Sequence, residues 1–163
     1  MHDDDLLAEL LPRLTQLSNV LNRGRMYEQA AAAAGISLER PAMAVLGVLK
    51  TAGKPLRIGE IADRMQVAGP HATRQVQGLE QRGLVHRIAD PDDQRARLID
   101  LTPEGTSTAD RYMRTVLGWF TGALAHWPDQ DRRDLGRLLG RMVDDVTAHL
   151  KALDGPGLPG TSP

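Results

Sequence analysis

Apolar residues recur at helical spacing along most of the chain, and the pattern changes to strand alternation only between residues 85 and 101. Leu6, Leu10, Leu14, Leu17 and Leu21, widened by Leu7 and Leu11, make one stripe of a long first helix, with Pro12 marking a kink or a restart. That helix is expected to run through Arg25, Met26 and Tyr27 into Ala30–Ala34, with Gly35 ending it. A second helix is predicted over 38–52, with Met43, Leu46, Val48 and Leu49 inward, before the turn Gly53-Lys54-Pro55. Ile58, Ile61, Ala62 and Met65 give a short helix with one apolar face, which Val67 closes. Gly69-Pro70 stops that helix and suits the first turn of the next, which carries Ala72, Val76 and Leu79 inward and extends to Arg82. Val85–Ile88 and Arg97–Leu101 alternate as strands around the polar turn Asp90–Arg95, and Leu56-Arg57 is expected as a short strand beside them. Thr102-Pro103 starts a helix over about 103–126, with Ala109, Tyr112, Val116, Leu117, Phe120 and Leu124 on one side. Pro128-Asp129 starts the last one, whose face holds Leu135, Leu138, Leu139, Met142, Val143, Val146, Leu150 and Leu153. The fold class is therefore mainly α with a small β-wing.

Two short helices, a tight Gly-containing turn and a β-ribbon compose a winged helix-turn-helix, a unit that lays its second helix in the DNA major groove. The outward face of that helix bears His71, Thr73, Arg74, Gln75 and Gln77, with no acid before Glu80. Arg suits guanine edges and Gln adenine edges. An ordinary solvated face usually mixes Glu with Lys; this one does not, and the ribbon after it strengthens the distinction. At the ribbon tip, Asp93 and Arg95 are two residues apart in a turn held by Pro91, so their side chains are expected to pair and present Arg95 to a minor groove. The other reading of that pair is a solvated surface ion pair.

Composition narrows the class. The 163 residues make one domain, or one domain with long extensions, and 41% hydrophobic content with five aromatics implies a core of Leu, Val, Ile, Met and Ala. The net charge of −1 is not that of a sequence-independent DNA coater, and residues 56–102 balance seven Arg with seven acids, so placement has to carry the argument. No cysteine is present, which removes disulfides, thiol redox sensing and thiolate metal sites. The five histidines lack ligand spacing, so no metal and no cofactor are expected. No run reaches membrane-spanning length, and a soluble, cytoplasmic protein with no membrane partner is expected. Six Gly and Pro within 155–163 predict a disordered tail.

The stretch 56–105 resembles the multiple antibiotic resistance regulator (MarR) family. The resemblance rests on Glu60-Ile61-Ala62, Ala72-Thr73-Arg74 and Leu79-Glu80-Gln81-Arg82-Gly83-Leu84-Val85. It rests most on Asp90-Pro91-Asp92-Asp93-Gln94-Arg95 followed by Ile99-Asp100-Leu101-Thr102-Pro103-Glu104-Gly105, which is similar to the family's wing signature. The family departs from this chain at Ala68, where a capping Ser is usual, at Gln94, where a second wing Arg is common, and at Glu39, where a Thr is usual. The resemblance implies a dimeric regulator of transcription, expected here as a repressor, that binds a pseudopalindromic duplex operator and responds to a small phenolic or amphipathic effector. Expected boundaries are a dimerisation helix over 1–35, the winged helix-turn-helix over 36–102, dimerisation helices over 103–153 and the tail 154–163. DNA contacts are expected from Arg57, Pro70, His71, Thr73, Arg74, Gln77, Arg87, Asp93, Arg95 and Arg97. Met26, Tyr27, Met43, Tyr112 and Trp119 are effector candidates, although Met and aromatic residues at helical spacing are more often plain core. The surplus apolar width of the terminal helices assigns dimerisation to Leu6, Leu10, Leu14, Leu17, Leu135, Leu139, Met142, Val146 and Leu150. Two other functions stand beside this one: a winged helix that binds only protein, which usually lacks the wing-tip Arg, and an enzyme, for which no nucleophile–base pair, metal cluster or phosphate loop is present.

Overall fold

The computed structural model describes residues 3–22, 24–93 and 95–153; the side chains of 3–7, 22 and 24 lie outside the description, as do the expected role of Leu6 and the expected disorder of the tail. The elements are α1 (Asp3–Asn22), α2 (Gly24–Ala33), α3 (Arg40–Ala52), α4 (Ile58–Met65), α5 (Gly69–Gln81), β1 (Val85–Ala89), β2 (Arg97–Leu101), α6 (Pro103–Ala123) and α7 (Asp129–Leu153). The fold is mainly α with one small antiparallel sheet, the winged helix-turn-helix that the periodicities predict. Residues 3–22 (α1) and 24–33 (α2) are helical where the first helix is expected, with Pro12 inside α1; residue 23 between them lies outside the described residues. By contact the chain forms two compact units, Met1–Gly118 and Trp119–Pro163.

The first unit contains the core. Leu46 and Leu49 of α3, Ile61 of α4, Val76 and Leu79 of α5, and Ile99 of β2 are fully buried together with Leu56. Val45 is also fully buried, whereas Val48, expected inward, is only partly covered and packs at the core's edge. The reason is that α3 touches α4, α5 and β2 at once, so its apolar stripe is wider than a one-neighbour helix needs.

Local chemistry fixes the ends. The Arg57 backbone N–H donates to Glu60 Oε2 at 2.8 Å, which satisfies one of the donors that α4's first turn leaves open. Ala68 at the start of α5 offers no side-chain acceptor, but Pro70 in the first turn removes one of the open donors. After α5, Gly83 adopts φ +68°, a left-handed conformation that costs an L side chain energy, and Leu84 N–H reaches back to Leu79 O at 3.0 Å. The chain can then turn directly into β1. The sheet pairs Val85 with Leu101, Arg87 with Ile99 and Ala89 with Arg97. Leu56 adds a one-residue bridge to Ile99, with N–H···O distances of 3.0 and 2.8 Å in the two directions, so the expected short strand is reduced to a single bridging residue and does not include Arg57.

The start of α6 is locked onto the exit of α5. Thr102 Oγ1 donates to Gly83 O at 2.7 Å and accepts from Gly105 N–H at 3.0 Å, while Thr102 N–H donates to Leu84 O at 3.1 Å. Gly105 is buried there: a Cβ on it would lie 1.9 Å from Leu84 O. Because the obstacle is backbone, no rotamer change relieves it. Gly105→Ala is expected to destabilise the protein by about 3 kcal/mol, through forced separation of α6 from Leu84. The check is a denaturant midpoint; an unchanged midpoint at unchanged slope would show that the contact does not bear on stability.

Candidate nucleic-acid interface

α5 turns its polar residues outward as its sequence requires. Ala72, Val76 and Leu79 are buried, His71, Thr73 and Gln75 are half-buried, and Pro70, Arg74 and Gln77 are exposed. Thr73 Oγ1 donates to Gly69 O at 3.0 Å, so its hydroxyl proton is committed to the helix. The Arg74 guanidinium makes no hydrogen bond or ion pair among the described residues, and a reading helix needs such an open donor fork.

The wing differs from the sequence expectation at its tip. Asp93 Oδ1 accepts the Arg95 backbone N–H at 3.0 Å, and no side-chain pair between Asp93 and Arg95 forms. A short carboxylate two residues before an N–H finds that partner at low entropic cost, and here this wins over the long, mobile Arg side chain. Asp93 Oδ2 faces Arg57 instead, at 3.9 Å. Arg95 is exposed with its guanidinium open among the described residues, and Arg97, also exposed, donates from Nη1 to Ala96 O at 3.2 Å.

Arg57 and Arg87, also expected at DNA, are engaged in ion pairs within the protein. Arg87 Nε lies 3.0 Å from Glu80 Oε2, tying β1 to α5. Arg57 reaches Asp90 with Nε at 2.8 Å and Nη2 at 2.5 Å from Oδ2. Asp90 is the residue that sequence reasoning missed. It is an acid only 5% exposed, and its Oδ1 accepts the Asp92 N–H at 2.9 Å. Asp-Pro at a strand end signals the turn, but the partner lies 33 residues away and has no local trace. The Asp92 N–H first, and then the Arg57 guanidinium, hold the Asp90 carboxyl below the usual carboxylate range, and the same pairing raises Arg57.

A cavity of about 260 Å³ lies between α2, α3 and α6. Tyr27, Met43 and Tyr112, all expected at an effector site, line it; Met26 and Trp119 do not. The rings of Tyr27 and Tyr112 stand 5.6 Å apart at 43°, and Tyr27 Oη donates to Leu38 O at 2.7 Å. Burial raises both phenol pKa values, so both stay protonated at neutral pH. Arg40, Lys50 and Asp110 complete the polar lining, with Lys50 Nζ 2.9 Å from Asp110 Oδ1.

Residues 36–96 match the model of the MarR family. Over that stretch the chain is similar to the MarR family. An HTH-type transcriptional regulator of Bacillus subtilis (strain 168), YxaD, is 28% identical over 127 residues, which is 78% of this chain and 87% of YxaD. A MarR family protein from Bacillus stearothermophilus shares the fold at a TM-score of 0.76 and 22% identity, over 90% of this chain and 99% of that one. MepR of S. aureus shares it at 0.53 and 18% in a mutant bound to an oligodeoxyribonucleotide, over 90% of this chain and 99% of that one, and at 0.55 and 16% bound to ethidium bromide, over 90% and 97%. The family matched consists of regulators rather than enzymes, and among the described residues no helix is long and apolar enough to cross a membrane.

The buried Asp90 carboxylate gives this MarR-family fold an acid-sensitive point. A carboxyl with a lowered folded pKa contributes stability above its ordinary value, about 3.9, and loses it as pH falls through the folded value. Asp90→Asn should therefore unfold at lower denaturant than the parent at neutral pH, and the gap should close below about pH 4. Equal midpoints at both pH values would remove Asp90 from the account of stability.

Proposed function

We propose that this protein is a regulator of the MarR type, a cytoplasmic homodimer that represses transcription by binding a pseudopalindromic duplex operator, and that a small phenolic or amphipathic molecule in the Tyr27–Tyr112 cavity modulates that binding. The observation that carries the DNA reading is the open Arg74 fork on the outward face of α5, next to Gln77 and followed by a wing with Arg95 open at its tip. Arg57, Asp93 and Arg87 serve by holding the wing, and Pro70, His71, Thr73 and Arg97 border the reading face. MepR, a fold neighbour, binds both an oligodeoxyribonucleotide and ethidium, which supports assigning a nucleic acid and a planar organic ligand to this fold.

The polar and apolar halves of the cavity fit an amphipathic ligand: aromatic and Met surface on one side, the Lys50–Asp110 pair and Arg40 on the other. Operator binding separates this function from a winged helix that binds only protein. Arg74→Ala is expected to cost about 1–3 kcal/mol and to relax preference at one base pair per half-site. Arg95→Ala should weaken binding evenly and reduce the salt slope by about one unit. Electrophoretic shifts across operator variants and salt series read both; parent-like affinity in both variants would leave the protein-only function standing.

The dimer rests on apolar surface. Leu135, Leu139, Val146 and Leu150 on α7 are 38%, 41%, 52% and 54% exposed, Met142 is half-buried, and Leu17 on α1 is 44% exposed while Leu10 and Leu14 are half-covered. A helix face this apolar does not stay in water. A C2 dimer would set two α5 helices about 34 Å apart, one DNA turn. The double substitution Leu139→Glu with Val146→Glu should give a monomer by sedimentation and abolish tight operator binding; a variant that still sediments as a dimer would move the interface elsewhere.

A further inference from the structure

A second cavity, of about 270 Å³, shares no lining residue with the first. It is bounded by the α2–α3 loop, the C-terminal end of α5 and the opening turns of α6. Glu104, Thr108 and Arg111 reach it from one face of α6, at spacings of four and three. Arg82 enters from the end of α5 and Ser37 from the loop.

The polar groups here are poorly matched to one another. Arg111 Nε is buried and has no hydrogen-bond partner among the described residues. Its Nη2 reaches Thr108 Oγ1 only at 3.4 Å, and its Nη1 lies 4.0 Å from Glu104 Oε1. The Arg82 guanidinium makes no hydrogen bond or ion pair among the described residues. A buried cationic N–H without an acceptor is costly, and such a group is normally satisfied by protein, water or ligand. Two forks facing one concavity, opposed by a single distant carboxylate, leave a net charge of +1 in the lining.

We propose that this cavity binds a small organic monocarboxylate between Arg82 and Arg111. A guanidinium fork matches a carboxylate through two parallel N–H···O bonds. One carboxylate neutralises the net +1, whereas a phosphate dianion would leave excess negative charge beside Glu104. Ser37 and Thr108 place hydroxyls where a hydroxyl on the ligand can hydrogen-bond. The bound anion joins the end of the reading helix to α6, two elements that otherwise meet through Gly83, Leu84 and Thr102.

The test is the Arg Nε–H region of the NMR spectrum of the full-length protein, titrated separately with lactate, inorganic phosphate and chloride. Lactate should shift the Arg111 Nε–H signal saturably, while chloride at equal ionic strength should not. Arg82→Gln, on an exposed helix end, should keep the folded spectrum and weaken the lactate response about tenfold, the loss expected of one charge-assisted contact. Arg111→Lys should weaken lactate binding, read from the neighbouring Thr108 amide, because charge without the fork is insufficient; Tyr112→Phe, in the other cavity, should leave it unchanged. A lactate response that does not saturate, or that is the same in Arg82→Gln as in the parent, overturns the site. Saturation by phosphate with none by lactate overturns the carboxylate class.

Discussion

A carboxylate taken out of water must be answered, and Asp90 is answered from 33 residues earlier in the chain, at the start of the helix-turn-helix. Its two oxygens are divided: one takes the backbone of the turn that follows, the other takes the guanidinium that precedes α4. The Leu56–Ile99 bridge lies one residue along the chain from Arg57, so backbone pairing and charge pairing act on the same two segments. Together they set the root of the wing against the start of the helix-turn-helix. Without that joint, β1 and β2 would be a two-stranded ribbon, which is marginal in water by itself. The Glu80–Arg87 pair adds a second attachment, from the reading helix to the same ribbon.

The reading helix depends on its neighbours in a different way. Its N-terminus lacks a side-chain cap, and Gly78 lies in its interior, so its intrinsic propensity is modest. Burial of Ala72, Val76 and Leu79 against α3 and α4 supplies what local sequence does not. Tertiary packing therefore fixes the orientation of Arg74 and Gln77, and substitutions deep in that core would reach the outward face of α5 without touching it.

How much of this was legible in the sequence follows from the range of each interaction. Helices α4 and α5 and both strands are where periodicity put them, because apolar spacing and turn residues act over a few positions. The extra strand residue at Leu56 was legible because Gly53-Lys54-Pro55 forces a return toward the ribbon. The Arg57–Asp90 joint was not, since nothing local marks which Arg will find a buried acid. At the wing tip the expectation chose the wrong partner for Asp93: a backbone N–H two residues away competes better than a flexible side chain. In the first cavity, Tyr27, Met43 and Tyr112 were named from residue type and helix, but Arg40, Lys50 and Asp110 sit on faces whose exposure only the packing decides.

At Gly105, helix and strand entrance touch backbone to backbone, with no side chain between them. Side-chain contacts yield to small displacements by changing rotamer; a carbonyl against a Cα does not. The first turn of α6 and the root of the wing must accordingly move as one piece. A tilt of the near end of α6 would press directly on the Leu84 carbonyl, with no rotamer between to absorb it. The absence of one methyl group thus makes the junction a rigid coupling where a softer packing would have absorbed the motion.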